Sequence, residues 1–556
     1  MTLPTARLPF RHLVGPLIAA ALALTSLLAP RIAAQAVARP AAATWTKGAV
    51  CYEIFVRSFR DSDGDGIGDL NGLTQSLDYI NDGDPRTTTD LGARCVWLMP
   101  VAESPSYHGY DVSNYFRVEP DYGTSADFRR MVSAAHRRGI KVLVDLVLNH
   151  ASSEHPYFKE ALRDPTSRYR DWFRWSATNP KTKGPWGQEV WHKSPLRDEY
   201  FYGVFWSGMP DLNYEHAPVR READKVARFW LREMGVDGFR LDAVSFLIES
   251  GDTLSHSRRT HEVLRDFASG VRRASPTAFT IGEVWDSTGT ILSYYPDQLD
   301  AYFAFPVSDG ILDAVRTGSA KTLLPELLRY QRALPPDRWS PFLRNHDQTR
   351  TVTALGGDTA RARLAASILL TLPGLPFVYY GEEIGMTGDK PDEMLRTPMQ
   401  WTGRAGGGFT RGTPWEPLQK DAGVINVATQ QSDSGSLLTM YKRLIRLRAT
   451  NSALASGELI PVRASSDAVL AYVRRDAQRA VLVVSNLGTT PLDRVALATA
   501  GGVLGAGRYA TRSLFGAAPG AELTVAADGH FDGFVAVPTL GPMQTYVLAL
   551  TPVRGR

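Results

Sequence analysis

The chain has 556 residues, of which 44% are hydrophobic and 22% charged, with a formal net charge of +4. That length exceeds one ordinary domain, and the composition is that of a globular protein rather than a disordered or fibrous one. The small net charge and the lack of any Lys/Arg block argue against a nucleic-acid partner.

The first predicted element is a leader. Arg7, Arg11 and His12 precede an apolar run over 13–29, and a small-residue stretch ends at Ala34-Gln35-Ala36. This is the layout of a secretory signal peptide, residues 1–36, cleaved after Ala36. The expected protein is exported, to a periplasm or to the medium, and is free of the membrane after cleavage. A membrane anchor is the rival reading, although the run is short for a bilayer and contains Gly15 and Pro16. Export permits a disulfide. The two cysteines, Cys51 and Cys95, begin predicted neighbouring strands, and a bridge or two buried thiols fit equally well.

Strand-like apolar runs follow at 52–59, 95–100, 141–148, 238–241, 279–284, 301–305, 341–344 and 376–380. Helical spacing lies between several of them. The segment 126–138 stops at Gly139, 218–234 opens with Pro218 and stops at Gly235, and 359–372 stops at Pro373-Gly374. Eight strands alternating with helices predict an α/β fold, a parallel (β/α)8 barrel over 44–150 and 209–452. A doubly wound sheet is the alternative. The intervening segment, 151–208, is too long for a loop and holds Trp172, Trp175, Trp186, Trp191 and Trp206. It reads as an inserted subdomain in which most of these rings form a compact core. Beyond a helix near 437–448, alternation over 468–474, 480–486 and 545–550 predicts an all-β sandwich spanning 455–556.

After the first strand comes Asp61-Ser62-Asp63-Gly64-Asp65-Gly66-Ile67-Gly68-Asp69. Carboxylates at alternate positions, separated by glycines, can wrap several oxygens around one hard cation, and Ca2+ accepts six to eight such ligands. The expected ligands are Asp61, Asp63, Asp65 and Asp69 with the Ile67 carbonyl. Mg2+ could also occupy the loop. The spacing is like the first part of an EF-hand, but its twelfth position is Gly72 rather than Glu. A plain acidic turn is the alternative, in which the carboxylates would repel one another.

Three further carboxylates end predicted strands: Asp242, Glu283 and Asp347. Cleaving a glycosidic bond takes an acid for the leaving oxygen and a carboxylate for the sugar cation. Arg240 lies two residues before Asp242 and shares its strand face, so its guanidinium would keep Asp242 ionised. Glu283 would instead hold a proton, which requires burial or nearby negative charge. His150, ending the third strand, and His346, beside Asp347, are placed to meet sugar hydroxyls. An ion-pair network at a barrel rim is the bland alternative.

With these residues the chain resembles glycoside hydrolase family 13, the α-amylase family. The matching blocks are 145–150, 238–242, 282–285 and 342–347, with Met209-Pro210-Asp211-Leu212-Asn213 and Arg396-Thr397-Pro398-Met399-Gln400-Trp401. The resemblance implies a catalytic barrel, an inserted subdomain, a C-terminal β-sandwich and retention at the anomeric carbon. It implies Asp242 as nucleophile, Glu283 as acid/base and Asp347 as transition-state stabiliser, with Tyr110, His150, Arg240 and His346 around the sugar. Tyr107-His108-Gly109-Tyr110 is similar to the α-amylase form, since members that take only chain ends place Asp where Tyr107 stands. Met209–Asn213 is intermediate with oligoglucosidase forms. Ser245-Phe246 departs from the Lys-His pair common in α-amylases, which puts a second calcium at Asn149 and Asp211 in doubt. The expectation is a monomeric α-amylase acting on internal α-1,4 bonds of an α-glucan oligo- or polysaccharide. An α-glucosidase or neopullulanase with transglycosylation is the alternative, and a non-catalytic glucan-binding protein is the alternative of another class.

Overall fold

The structure, a computed structural model, describes residues 41–251 and 253–553. The expected leader lies outside these residues. Seven parallel strands form the central sheet: β1 (Cys51–Ile54), β2 (Cys95–Leu98), β3 (Lys141–Leu146), β4 (Gly238–Leu241), β5 (Phe279–Gly282), β6 (Ala301–Tyr302) and β7 (Phe377–Tyr379). Their order is β6-β5-β4-β3-β2-β1-β7. The ring is completed by single bonds rather than by an eighth strand. Ser340 N donates to Tyr302 O at 3.1 Å, and Leu375 N and Phe377 N donate to Trp339 O and Pro341 O, each at 3.0 Å. The run at 341–344 therefore contributes only its first residue. Pro341 has no N–H to extend the ladder, and proline is poorly tolerated in a central strand. The fold is the (β/α)8 barrel of the expected α/β class.

The first predicted strand is also shorter than its apolar run. It ends at Ile54, and Val56–Phe59 is a buried helical turn. A continuous apolar run does not distinguish a buried strand from a buried turn. Cys51 and Cys95 stand directly opposite on β1 and β2 and form a disulfide with their Cα atoms 4.3 Å apart.

Helix boundaries follow their local signals. α1 (Ser125–Arg137) begins with a Thr124/Asp127 capping box, and Gly139 beyond it takes a left-handed φ of 72°. α2 (Ala217–Phe229) has Pro218 in its first turn and continues as a wider turn over Trp230–Met234 to Gly235. α3 (Thr359–Thr371) is capped by Asp358 and buried along most of its length. α4 (Leu437–Thr450) is capped by Ser436.

The inserted segment carries a three-stranded antiparallel sheet, with Tyr200–Tyr202 between Trp175–Ser176 and Trp191–Lys193. Trp172, Phe158, Phe173 and Phe201 are buried there. Toward the C-terminus lie β8 (Glu458–Ala464), β9 (Val469–Arg475), β10 (Ala480–Asn486), β11 (Leu497–Ala498), β12 (Gly507–Phe515), β13 (Glu522–Val525) and β14 (Thr545–Pro552). They make one antiparallel sheet, ordered β11-β8-β9-β10-β14-β12-β13. A small ribbon pairs Leu492–Asp493 with Thr539–Leu540. Along β9 the side chains alternate between two cores. Leu470 and Tyr472 join the barrel's core, whereas Val469, Ala471 and Val473 join the C-terminal domain's own.

Two buried arginines, Arg448 of α4 and Arg474 of β9, meet the C-terminal end of α3, and Arg474 ties this sheet to the barrel. Arg448 donates to the carbonyls of Leu370, Leu372 and Gly374, and Arg474 to those of Thr371, Leu454 and Gly457. They satisfy the orphan carbonyls at the C-terminal end of α3, where the helix dipole favours cations. Burial without a bonded carboxylate lowers both, Arg448 to about 9 and Arg474 to about 10.

Candidate active site

The barrel strands end at one face, where a cleft of about 780 Å³ opens. Its wall includes Tyr110, His150, Asp242, Glu283 and Asp347. Asp242 follows β4, and Glu283 follows β5. Register pairs Arg240 with Asp145 on one side and Ile281 on the other. Ala243 takes a left-handed conformation, φ 47° and ψ 35°, and turns the chain out of β4 into Val244–Phe246. That conformation costs an alanine about 1–2 kcal/mol, and such strain gathers at functional sites.

Arg240 is the hub. One terminal nitrogen, Nη1, donates to Asp242 Oδ1 at 2.8 Å and to both oxygens of Asp145 at 2.8 and 2.9 Å. The other, Nη2, donates to Glu283 Oε2 at 2.6 Å. A single fully buried guanidinium thus holds Asp242 and Glu283 side by side. Burial raises both carboxyls against the pull of Arg240. Asp242 is pushed up to about 6 and Glu283 to about 7. Glu283 therefore keeps its proton to higher pH than its neighbour.

Asp347 is treated differently. Burial works against its charge, but the His346 and Arg396 cations prevail and hold it well below the usual carboxylate range. His346 Nε2 lies 3.1 Å from Asp347 Oδ2 and 2.6 Å from the Tyr110 hydroxyl, and its Nδ1 lies 2.6 Å from Glu53 Oε1. Burial would lower His346, yet Asp347 and Glu53 raise it to about 9, so the ring is an imidazolium near neutral pH. Arg396 Nη2 reaches Asp347 Oδ1 at 2.9 Å and Asp392 Oδ2 at 3.2 Å.

Tyr110, Arg240 and His346 are thus brought together as expected. Tyr110 donates its hydroxyl to Asp145 Oδ2 at 2.9 Å, and its ring stacks on His346. His150 lines the cleft, but its Nε2 is taken by the Tyr110 carbonyl at 3.1 Å, and burial lowers it to about 3. It is a neutral ring that supports Tyr110.

Sequence reasoning did not single out Glu53, Asp145, Asp392 or Arg396 as site residues. Asp145 and Arg396 lie inside the matching blocks quoted above, and the register of β3 against β4 sets Asp145 beside Arg240. Glu53 has no local signal, because its partner His346 is 293 positions away. The tryptophans of the insert divide. Trp172 is buried, while Trp186 and Trp206 are 63% and 51% exposed and line the cleft beside Trp285, which is 55% exposed.

In the acidic loop Asp61, Asp63 and Asp65 gather, each offering an oxygen within 4.8 Å of the others. Gly66 could not be another residue, since its φ is 95° and a Cβ there would lie 1.9 Å from Thr413 O. Asp69 turns its carboxylate to Gly72 N and to the Ser62 backbone and hydroxyl, capping the helix Leu70–Gln75. Asp61 accepts from Gly64 N, Gly66 N and the Thr410 hydroxyl. Three carboxylates on a tight glycine turn are hard-oxygen donors suited to Ca2+. At the junction of barrel and insert, Asn149 Oδ1, Asp211 Oδ2 and Glu249 Oε1 are buried without a hydrogen-bond partner. The charge that Glu249 meets there is the Arg174 guanidinium.

The family described as Alpha amylase, catalytic domain, matches residues 53–457. The chain is 39% identical to Alpha-amylase 3 of Dictyoglomus thermophilum over 450 residues, covering 80% of this chain and 85% of that protein. It is 34% identical to the trehalose synthase/amylase of Mycolicibacterium smegmatis over 519 residues, covering 81% and 86%. Among solved structures it is similar to an α-amylase from H. orenii, with a TM-score of 0.78, 39% identity and coverage of 90% of this chain and 99% of that one.

Proposed function

The chain belongs to the α-amylase family of glycoside hydrolases, and from that premise we propose that it is a retaining α-amylase acting on internal α-1,4 bonds of starch-like glucans. The observation that carries this reading is the pairing of Asp242 and Glu283 on the two terminal nitrogens of Arg240, in an open cleft flanked by exposed Trp186, Trp206 and Trp285. Exposed indole faces suit successive glucose units, and an open cleft suits a chain that continues in both directions.

In the proposed mechanism Glu283 gives its proton to the bridging oxygen as Asp242 attacks the anomeric carbon. The bond to the leaving oxygen breaks, its electron pair stays with that oxygen, and a glycosyl ester of Asp242 forms. Glu283, now a carboxylate, takes a proton from water as the water oxygen bonds to the anomeric carbon, and the ester bond breaks to return the Asp242 carboxylate. Asp347, held ionised by His346 and Arg396, is the fixed negative charge facing the sugar cation.

The supports for the finer assignment are Tyr107, which stands where chain-end enzymes carry Asp, and the likeness to proteins named α-amylase. A chain-end α-glucosidase is the second reading, favoured by Met209–Asn213, which is intermediate with oligoglucosidase forms. A time course on amylose decides between them. Early mixed oligomers accord with the α-amylase reading, and glucose alone from the first minutes refutes it.

Two further proposals accompany this one. The loop at Asp61, Asp63 and Asp65 binds Ca2+, which would brace the turn against the Phe409 and Trp415 backbone it bonds. The protein is exported, supported by its leader-like N-terminus and the disulfide.

A further inference from the structure

Glu53 takes no step in the mechanism above, yet it is a carboxyl buried inside the barrel. It stands in the middle of β1, where alternation turns Tyr52 outward into the core and Glu53 inward. A carboxylate so placed costs stability unless it is paired. Its neighbours in register are Trp97 on β2 and Tyr379 on β7, and neither is its donor. The Trp97 indole nitrogen is buried without a partner, and the Tyr379 hydroxyl goes to Leu395 O at 3.1 Å. The partner of Glu53 is His346 Nδ1, at 2.6 Å.

The other nitrogen of that ring, Nε2, faces two more acceptors. Asp347 Oδ2 lies 3.1 Å away, and the Tyr110 oxygen, whose proton goes to Asp145, lies 2.6 Å away. A neutral imidazole has one N–H and one lone pair. Whichever nitrogen lost its proton would set a lone pair against a carboxylate, so the geometry calls for both protons. The proton between Glu53 and Nδ1 belongs on nitrogen, because imidazole is the stronger base by about two pH units in its ordinary state. Asp347 on the far side of the ring draws the positive charge further toward it.

The remaining charges around His346 are engaged with one another. Arg240 is shared by Asp145, Asp242 and Glu283. Arg396 donates Nε to the His346 carbonyl at 3.1 Å and Nη2 to Asp347 and Asp392. His346 is fully buried, and the edge of Trp97 packs against it with ring centres 5.6 Å apart. Glu53 is therefore the counter-charge at Nδ1.

We propose that Glu53 is a positioning residue that keeps His346 an imidazolium, so that one ring holds Asp347 and Tyr110 in place together. The inference rests on the hydrolase reading above and adds the residue on which the charge of this wall depends. Without the Glu53 charge the ring would lose a proton at lower pH. Nε2 would then turn a lone pair toward Asp347, and the Tyr110 hydroxyl would swing from Asp145 to that nitrogen. Both changes disturb residues beside the reacting carbon.

α-Maltosyl fluoride removes the Glu283 proton from the measurement, since departing fluoride needs little protonation. Its kcat/KM should rise near pH 6 with Asp242, hold past pH 7 and fall only near pH 9, where His346 loses its proton. In Glu53→Gln, which keeps the size and an acceptor for Nδ1–H, the fall should come about 1–3 pH units lower, the range for losing an opposite charge at contact distance. Glu53→Asp restores the charge and should bring the fall back toward its wild-type position. A packing role alone would lower the rate equally at every pH, so an unmoved fall in Glu53→Gln would overturn the inference. Nitrogen NMR of the wild type with isotope-labelled histidine reads the charge without any change at Glu53. At a pH below the His346 value of about 9, the signals lost in His346→Asn should be those of two protonated nitrogens. One bare nitrogen there would also overturn the inference. A wild type inactive on maltotetraose and the fluoride alike would instead overturn the hydrolase reading, and the NMR result would still decide the role of Glu53.

Discussion

Replacing Glu283 with glutamine isolates the proton from everything else this residue does. The amide oxygen can still accept from Arg240 Nη2, now bonded at 2.6 Å, so the grip on the loop after β5 survives. What is lost is an acid whose carboxyl is pushed up to about 7 by burial. General acid catalysis contributes about 10²–10⁴-fold, or about 2.7–5.5 kcal/mol of barrier. The kcat/KM for maltooligosaccharides should fall by that range. For α-maltosyl fluoride, whose leaving group needs little protonation, the loss in the first step should be much smaller. The pH profile adds an independent reading. In the wild type, kcat/KM should rise as Asp242 loses its proton near pH 6 and fall as Glu283 loses its own near pH 7, with both apparent values belonging to the coupled pair. In Glu283→Gln the alkaline fall should vanish. An alkaline limb that persists in the variant, or equal losses on the two substrates, would refute the assignment of Glu283 as the acid.

Arg396→Met should lower kcat about 10–100-fold with little change in KM, because Asp347 loses a charge-assisted bond while His346 keeps it ionised; steady-state kinetics on maltotetraose checks this. Chelation should lower the thermal midpoint and added Ca2+ should restore it, by about 2.7 kcal/mol at a hundredfold excess over Kd, and Asp61→Asn should abolish the difference. Arg474→Leu should destabilise the protein by about 3 kcal/mol or more, because the Thr371, Leu454 and Gly457 carbonyls lose their buried donor; calorimetry should show a lower Tm with kinetics on the surviving folded protein unaltered.

Much of the barrel was legible because its signals are local. The stops at Gly139 and Gly235 mark left-handed turns that a side chain resists, and α1 and α2 end near them. The apolar runs of β2 and β4 correspond closely to strands because these are buried on both faces. The same rule failed at 52–59, where half of the run is a helical turn, and at 341–344, where proline breaks the ladder.

Local order along the chain was enough to place Asp242 and Glu283 at strand ends, to put Arg240 on the face of Asp242 and to gather Asp61, Asp63 and Asp65 in one turn. Each of these depends on residues a few positions apart, whose relative directions follow from strand alternation or loop geometry. Closure of the barrel decided the rest. It put Glu53 under His346, Arg396 against Asp347 and His256 against Asp286, and it sorted buried Trp172 from open Trp186 and Trp206. These contacts join positions tens to hundreds of residues apart, and no short-range pattern encodes them, because they exist only once the strands have curled into a ring.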